Sequence, residues 1–328
     1  MALAVLEVES DLDFSSPNGL RSNVSGLREW MGARSHETVL WTKEIEERGR
    51  VTITIKDLPD VAVGGDHNLR LKPSWRLEHP GDDVLLRESV VCETASSTSV
   101  NWRELQRSHL AIRDLLVLSR WRRETCVPTL LQHDGDETVT DRLGVSQPVW
   151  RTAIFPDEQA EPLPKRHQPH LIQYQELGPA GVLHWLKLRE QFARALDPVI
   201  TSRFMGRADA VTYLAQIGPG LEALGYLLLR RDKLRANVML RERLDRIARV
   251  VQDVLPFDGN EWAASTVKAY NGLKHINRPA PAALEVINAW AQSVMVVRAW
   301  VAIELGVPSD EVRNRLANDP HAAPFEEI

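Results

Sequence analysis

The sequence lacks the features by which several common protein classes are recognised. It has only two cysteines, Cys92 and Cys126, which lie far apart and outside any Cys-x-x-Cys or Cys/His spacing. We therefore expect reduced, buried thiols and no zinc site. No set of His, Cys and carboxylate residues has the spacing of metal ligands, and no glycine-rich phosphate loop follows a strand. The chain is accordingly expected to need neither a metal nor an organic cofactor.

Long apolar runs and a leader segment are also missing. No run approaches the ~18 apolar residues that a bilayer-spanning helix needs, and no basic stretch precedes an apolar one at the N-terminus. We therefore expect a cytoplasmic protein with no membrane partner. The formal net charge of −5 argues against a protein that coats nucleic acid without regard to base sequence, because such a protein needs a surplus of Lys and Arg. A small enzyme site that acts on RNA is compatible with this charge.

The first half of the 328-residue chain has the pattern of short strands with one helix. Apolar and polar residues alternate over residues 51–55, and turn residues at 79–82 separate two further strands. Apolar residues then recur with a helical period over residues 102–121, after Asn101 as a candidate N-cap. Residues 156–169 are rich in proline and predict a long loop. The predicted strands are residues 1–8, 51–55, 69–77, 84–91, a stretch around Thr138, 149–154 and 171–175.

After residue 181 the pattern is that of helices alone. Gly218, Pro219 and Gly220 should kink or break the second of these helices. The sequence thus predicts an α+β N-terminal domain over residues 1–178, with antiparallel strands and a helix, followed by an all-α helical bundle over residues 179–328. The predicted helices are residues 182–196, 208–229, 234–255, 261–276 and 282–305, and a short helix from Ser309.

A run of basic residues lies on and just before the third of these helices. Two interpretations are open: a solvated face with internal ion pairs, or a surface that contacts phosphate groups. The run comprises Arg230, Arg231, Lys233, Arg235, Arg241, Arg243, Arg246 and Arg249, offset by Asp232, Glu242 and Asp245.

The segment from Lys268 to Pro279 carries the candidate site. Lys268, Asn271 and His275 are spaced so that they share one stripe of a helix. Asn and Lys are poor choices for a stripe that faces a core. Gly272 costs the helix about 1 kcal/mol relative to Ala, which indicates the close approach of another helix or a ligand.

These residue types are the parts of metal-independent RNA cleavage. His275 can take or give a proton near neutral pH, and Asn271 can orient the imidazole or a phosphate oxygen. Lys268, Lys274 and Arg278 can stabilise negative charge on the reacting phosphorus. A structural interpretation is also open, because a His near a helix C-terminus is favoured by the helix dipole and can simply cap the helix.

The same segment resembles the signature of HEPN domains, Arg-x4-6-His, usually with Asn directly after the Arg. Asn271 and His275 match this signature, but Tyr270 stands where the family has Arg. Lys268 keeps a cation nearby without the bidentate fork of Arg. The resemblance implies catalytic roles for His275, Asn271 and Lys268, and substrate binding by Lys274, Arg278 and Tyr270.

Most of the chain is similar to ApeA-type anti-phage proteins. Residues 177–185, residues 192–198 and the paired helices resemble their C-terminal part, and the strand-rich half with Trp75 and the helix over 102–121 resembles their N-terminal domain. The resemblance implies a metal-independent endoribonuclease of an abortive-infection system, with transfer RNA a common target in the class. It also implies a homodimer through the HEPN half, and a sensor or regulatory N-terminal domain that responds to a phage-derived trigger.

Two other functions stay open. The missing Arg favours a catalytically inactive HEPN module that binds RNA, a nucleotide or a protein partner. The third possibility is an unrelated helical interaction protein.

Overall fold

The computed structural model describes residues 4–5, 12–41, 50–140, 144–155, 161, 169–320 and 322–326. It forms two compact units. The sheet unit comprises Met1–Arg113 and Glu124–Ala160, and the helical unit comprises Asp114–Arg123 and Glu161–Ile328. The predicted loop over residues 156–169 and most of the predicted first strand lie outside the described residues.

The strands of the sheet unit are β1 (Ala4–Val5), β2 (Gly19–Val24), β3 (His36–Trp41), β4 (Arg50–Ile55), β5 (Val61–Gly64), β6 (Leu69–Glu78), β7 (Leu85–Ala95), β8 (Cys126–Gln132), β9 (Thr138–Thr140), β10 (Ser146–Pro148) and β11 (Trp150–Ile154). Seven of them form an antiparallel sheet in the order β1-β11-β8-β2-β7-β6-β5, and β3-β4 and β9-β10 form two-stranded sheets. A short helix, α1 (Leu27–Met31), follows β2. The strands predicted at 51–55, 69–77, 84–91 and 149–154 are confirmed.

The long helix α2 (Trp102–Arg120) begins where the sequence predicted. The Asn101 carboxamide oxygen accepts a hydrogen bond from the backbone N–H of Arg103 at 3.0 Å, which satisfies a free donor of the first turn. Trp102 and Leu105 pack with Leu20 of β2 in the core of the sheet unit. The apolar stripe of the sequence is therefore the buried face of α2.

The remaining helices all belong to the helical unit. They are α3 (Tyr174–Gln191), α4 (Ala193–Ser202), α5 (Ala210–Arg231), α6 (Leu240–Val251), α7 (Gly259–Lys274), α8 (Ala283–Glu304) and α9 (Ser309–Ala317). No strand occurs among the described residues after Ile154. An antiparallel sheet with a helix, followed by an all-helical region, is the fold class that the sequence predicted.

The domain boundary that we predicted near residue 178 falls inside a helix. Gly178 has φ 55° and forms a kink within α3. The residues on both sides of it belong to the helical unit. Only glycine adopts this conformation without strain. Whether residues 1–178 and 179–328 fold separately stays a prediction.

The strand predicted over residues 171–175 is wrong. Leu171 and Ile172 are irregular, and α3 begins at Tyr174. The Leu171 N–H donates to the Ser119 carbonyl at 2.9 Å, and the Ser119 hydroxyl donates to the Ile172 carbonyl at 2.8 Å. Both residues are buried, so hydrogen bonds to the last turn of α2 satisfy a backbone that the apolar pattern assigned to a sheet.

The prediction that Gly218-Pro219-Gly220 kinks or breaks the second helix is wrong as to a break, because α5 runs through these residues. Pro219 is exposed, as is Ala215, whose carbonyl loses its helical partner to the proline. Water can satisfy that carbonyl. The two glycines lie on the buried side, where a Cβ at Gly218 would come within 2.1 Å of the Tyr270 ring and one at Gly220 within 2.6 Å of the Ala195 carbonyl oxygen. A side chain at either glycine would therefore clash with a neighbouring segment.

Helix α6 begins at Leu240, six residues later than the predicted start at 234. Lys233 has φ 59°, a left-handed conformation that ends α5, and the irregular residues up to Met239 follow it. The Glu242 carboxylate accepts the Met239 N–H at 3.3 Å and so fixes the start of α6. The helical period alone did not show this interruption.

Helix α8 is the core helix of the helical unit. Its length and apolar composition would also allow it to cross a membrane, but two thirds of its most apolar window is buried in the protein. One residue on its buried face is charged. Arg298 is 1% exposed, donates to the Leu118 and Ser119 carbonyls at 2.7 and 3.3 Å, and lies 2.8 Å from the Asp319 carboxylate.

Candidate functional site

The candidate site lies at the C-terminal end of α7. The helix starts with Asp258 as its N-cap, whose carboxylate accepts the N–H groups of Asn260 and Glu261 at 2.7 and 2.9 Å. These two hydrogen bonds fix the start of α7 and thereby the face of the helix on which each later residue lies. The chain leaves the helix after Lys274, and not after residue 276 as predicted.

His275 is the C-cap of α7 and does not lie on the helix. Its backbone is extended, with φ −122° and ψ 113°, while its N–H still donates to the Asn271 carbonyl at 3.0 Å. Arg278 N–H donates to the His275 carbonyl at 2.9 Å, so the chain turns immediately afterwards. The placement of His275 on the same helix as Asn271 is therefore corrected: the turn that leads to Pro279 and Pro281 ends the helix first.

The turn after His275 packs closely against Gly272. A Cβ there would come within 2.8 Å of the Pro279 carbonyl oxygen and 2.9 Å of the Pro281 ring. A residue with a side chain would push the turn away from α7. The glycine that the sequence associated with a neighbouring helix or a ligand thus permits the chain to fold back on itself.

The two lysine side chains of the site are exposed and form only weak ion pairs. The Lys268 ammonium lies 2.6 Å from Glu285, with 71% of its side chain exposed. The Lys274 ammonium lies 3.4 Å from Glu222 and 5.5 Å from the centre of the Tyr270 ring. Ion pairs this exposed contribute little, because solvent screens them. Both lysines can therefore turn to an anionic ligand at little cost.

The side chains of His275 and Arg278 are exposed and make no hydrogen bond or ion pair to any residue that the structure describes. Asn271 is half-buried one turn before His275. The structure thus brings Asn271, Lys274, His275 and Arg278 to one end of α7. Lys268 lies about a turn and a half further back along the helix, on the side that faces Glu285.

Tyr270, which stands where the predicted HEPN signature would have Arg, is buried. Burial and the neighbouring Glu222 carboxylate, to which it is hydrogen-bonded, raise the pKa of the Tyr270 phenol to about 12. Its ring packs directly on Gly218 of α5. The residue is therefore neutral at physiological pH and is part of the contact between α5 and α7.

Glu222 is the residue of this region that the sequence did not indicate. In addition to Tyr270 and Lys274, its carboxylate lies 3.6 Å from the Arg243 guanidinium. It comes from α5, some fifty residues before the motif, and sits among ordinary helical residues. No local pattern identifies such a residue, because its position depends on how α5, α6 and α7 pack.

Much of the basic run is occupied by ion pairs. Arg241 lies 2.7 Å from Asp245, Arg246 lies 2.5 Å from Asp232, and Arg231 lies 2.7 Å from Glu304. These contacts agree with the first interpretation of the basic run, a solvated face with internal ion pairs. Contact of this run with phosphate stays a prediction.

Within the described ranges, no three His, Cys, Asp or Glu side chains come together in a group that could hold a metal ion. Both cysteines are buried thiols that form no disulfide, as predicted, and burial raises the pKa of the Cys92 thiol well above its ordinary value.

Comparison with known proteins adds one finding. A family model described as ApeA N-terminal domain 1 matches residues 8–123. This match supports the ApeA-like character that the sequence predicted for the strand-rich half as far as residue 123, a stretch that includes α2. No curated protein and no solved structure matches the chain.

Proposed function

We propose that this chain is an anti-phage defence protein whose helical unit is a HEPN-type, metal-independent endoribonuclease. The match to ApeA N-terminal domain 1 supports the defence role. The observation that carries the enzymatic part is the end of α7: His275 has a free, exposed side chain one turn after Asn271, between Lys274 and Arg278. Transfer RNA is the substrate that we propose, and a phage-derived component the trigger.

The proposed reaction is an internal transesterification. The imidazole of one His275 takes the proton of a 2′-hydroxyl, and the 2′-oxygen attacks the adjacent phosphorus. The bond from phosphorus to the 5′-oxygen breaks, and an acid protonates that oxygen. The products are a 2′,3′-cyclic phosphate and a 5′-hydroxyl. Lys274 and Arg278 stabilise the charge on the phosphoryl oxygens, Lys268 supplies a further cation, and Asn271 orients the imidazole or the phosphate.

A homodimer supplies both the base and the acid. In a two-fold contact through the end of α7, each His275 approaches its symmetry mate, so one imidazole takes a proton while the other gives one. Ile276, directly beside it, is fully exposed although apolar, which suits a surface that a second copy covers. Light scattering at micromolar concentration is expected to give the mass of two chains. A monomer would refute this assembly.

Toxicity in cells tests the proposed function. Expression of the chain in a bacterial host, with its trigger supplied by phage infection, is expected to stop growth, and His275→Ala is expected to restore growth at equal protein level. The physical reason is that cleavage of transfer RNA halts translation. Equal growth arrest by the two proteins would show that the toxicity does not come from His275.

Tyr270 favours a second candidate function. Because this buried phenol occupies the position of the HEPN arginine, no guanidinium reaches the site from there. An inactive module that binds RNA, a nucleotide or a protein partner would need none. Binding of RNA without cleavage, equally by the parent and by His275→Ala, would support this candidate against the first.

A further inference from the structure

An open slot lies in the sheet unit, where β2 leaves the sheet. Strand β2 pairs with β7 only as far as Asn23, opposite Val91. The chain then turns into α1 through Gly26, whose φ of 74° suits glycine. Residues 85–90 of β7 extend beyond the end of its pairing with β2. Along this stretch one edge of β7 pairs with β6. Among the described residues, no strand pairs with its other side.

The slot is the place that β2 would occupy if it continued. Its volume is about 920 Å³, and it is bounded by the end of β2, by α1, by the start of β8 and by residues 85–90 of β7. An unpaired strand edge presents a row of N–H and C=O groups, which is a template for an added strand. The volume lies within the range of pockets that bind ligands, about 300–1,000 Å³.

The two faces of the β6–β7 hairpin beside the slot differ in chemistry. The register places Trp75 opposite Glu88 and Leu77 opposite Leu86 on one face. Trp75 and Leu77 are 36% and 43% exposed, so this face is apolar and open to solvent. On the same face, Glu88 is neutralised by Arg28 at 3.1 Å and lies 3.0 Å from His36.

The opposite face is cationic. Arg76 lies opposite Arg87, and both guanidinium groups lie against one carboxylate, that of Glu78, at 2.7 and 2.5 Å. Two positive charges therefore share one negative charge. Both arginine side chains are more than half exposed, at 73% and 56%. This face carries positive charge that an added strand can complement.

We propose that the slot binds an extended peptide of a partner protein, which joins β7 as an additional antiparallel strand. Side chains of a strand alternate between faces. The bound segment therefore alternates apolar residues, on the face that carries Leu86 and Trp75, with acidic residues, on the face that carries Arg87 and Arg76. Backbone hydrogen bonds supply affinity, and the alternation supplies specificity. This inference concerns the sheet unit and does not depend on ribonuclease activity.

The probe is a fluorescein-labelled peptide of alternating Val and Glu, seven residues long, read by fluorescence anisotropy with the full chain. We expect saturable binding, protection of the amides of residues 85–90 from hydrogen exchange, and about tenfold weaker binding by Arg87→Glu, which reverses a facing charge. Arg70→Glu is the matched control. Arg70 is exposed on the same face of β6, opposite Glu93 and away from the slot, so its reversal is expected to leave binding unchanged.

Two further probes distinguish the addition of a strand to β7 from electrostatic attraction alone. The same peptide with alternate N-methylated residues keeps its charge but cannot pair with a strand edge, and we expect it not to bind. An RNA oligonucleotide of equal charge is expected not to compete. The proposal is overturned if the Val/Glu peptide shows no binding at 1 mM, if the N-methylated peptide binds equally well, if the two charge reversals have the same effect, or if RNA displaces the peptide. Circular dichroism of both variants verifies that they fold.

Discussion

Replacing His275 with alanine is expected to lower the rate of RNA cleavage by about 10²–10⁴-fold, the usual effect of losing a general acid or base. The melting temperature is expected to stay within a few degrees of the parent value. The His275 side chain makes no hydrogen bond or ion pair within the described part of the chain, so the fold loses no side-chain partner with it. The measurement is single-turnover cleavage of labelled transfer RNA by folded protein, with the melting temperature recorded alongside.

The alternative role of His275 as a helix cap predicts a different pattern. His275 is indeed the C-cap of α7, where a positive charge interacts favourably with the helix dipole. Loss of that interaction would cost up to about 1 kcal/mol of stability and would spare the chemistry. His184→Ala is the control, because His184 is an exposed histidine on α3 of the same unit. Parental cleavage by His275→Ala would refute the catalytic role and favour the inactive module.

Replacing Arg298 with methionine is expected to lower the free energy of unfolding by about 3–5 kcal/mol, the typical cost of removing one partner of a buried ion pair. The substitution leaves the Leu118 and Ser119 carbonyls without their side-chain donor. It also leaves the Asp319 carboxylate, which is 8% exposed, without its guanidinium. Urea unfolding followed by circular dichroism measures the change.

Two further variants isolate the cause of that loss. Arg194→Met changes an exposed arginine on α4 whose side chain makes no hydrogen bond or ion pair within the described residues, and we expect a change within about 0.5 kcal/mol. Adding Asp319→Asn to Arg298→Met removes the buried negative charge that the guanidinium had faced and should recover part of the loss. If Arg298→Met matched Arg194→Met in stability, the buried arginine would not be the structural anchor that its contacts indicate.

Local sequence patterns predicted those elements whose cause is local. The alternation over residues 51–55 became β4, and Asn101 caps α2. The turn between β6 and β7 contains Gly81 at φ 65°, a conformation that glycine adopts readily. In each of these cases neighbouring residues alone determine the conformation. The period change from two to 3.6 gave the fold class for the same reason.

The wrong predictions share a different cause, which is packing between distant segments. Pro219 lies within α5, and the glycines on both sides of it pack closely against Tyr270 and Ala195. Leu171 and Ile172 need no sheet because Ser119 supplies their hydrogen bonds. The turn back onto Gly272 removes His275 from α7, and Glu222 reaches the site from α5. The motif predicted a site in the segment from Lys268 to Pro279, and the geometry of that segment depends on contacts that one sequence does not reveal.

The central claim is tested most directly by the ends of the RNA fragments that the purified parent protein produces in the presence of EDTA. The proposed chemistry uses only His275, Asn271 and nearby cations, so cleavage should persist after chelation of divalent ions. The account predicts fragments with 2′,3′-cyclic phosphate and 5′-hydroxyl ends, because the 2′-oxygen is the nucleophile. Cleavage that stops with EDTA, returns with one divalent ion and leaves 5′-phosphate ends would contradict it.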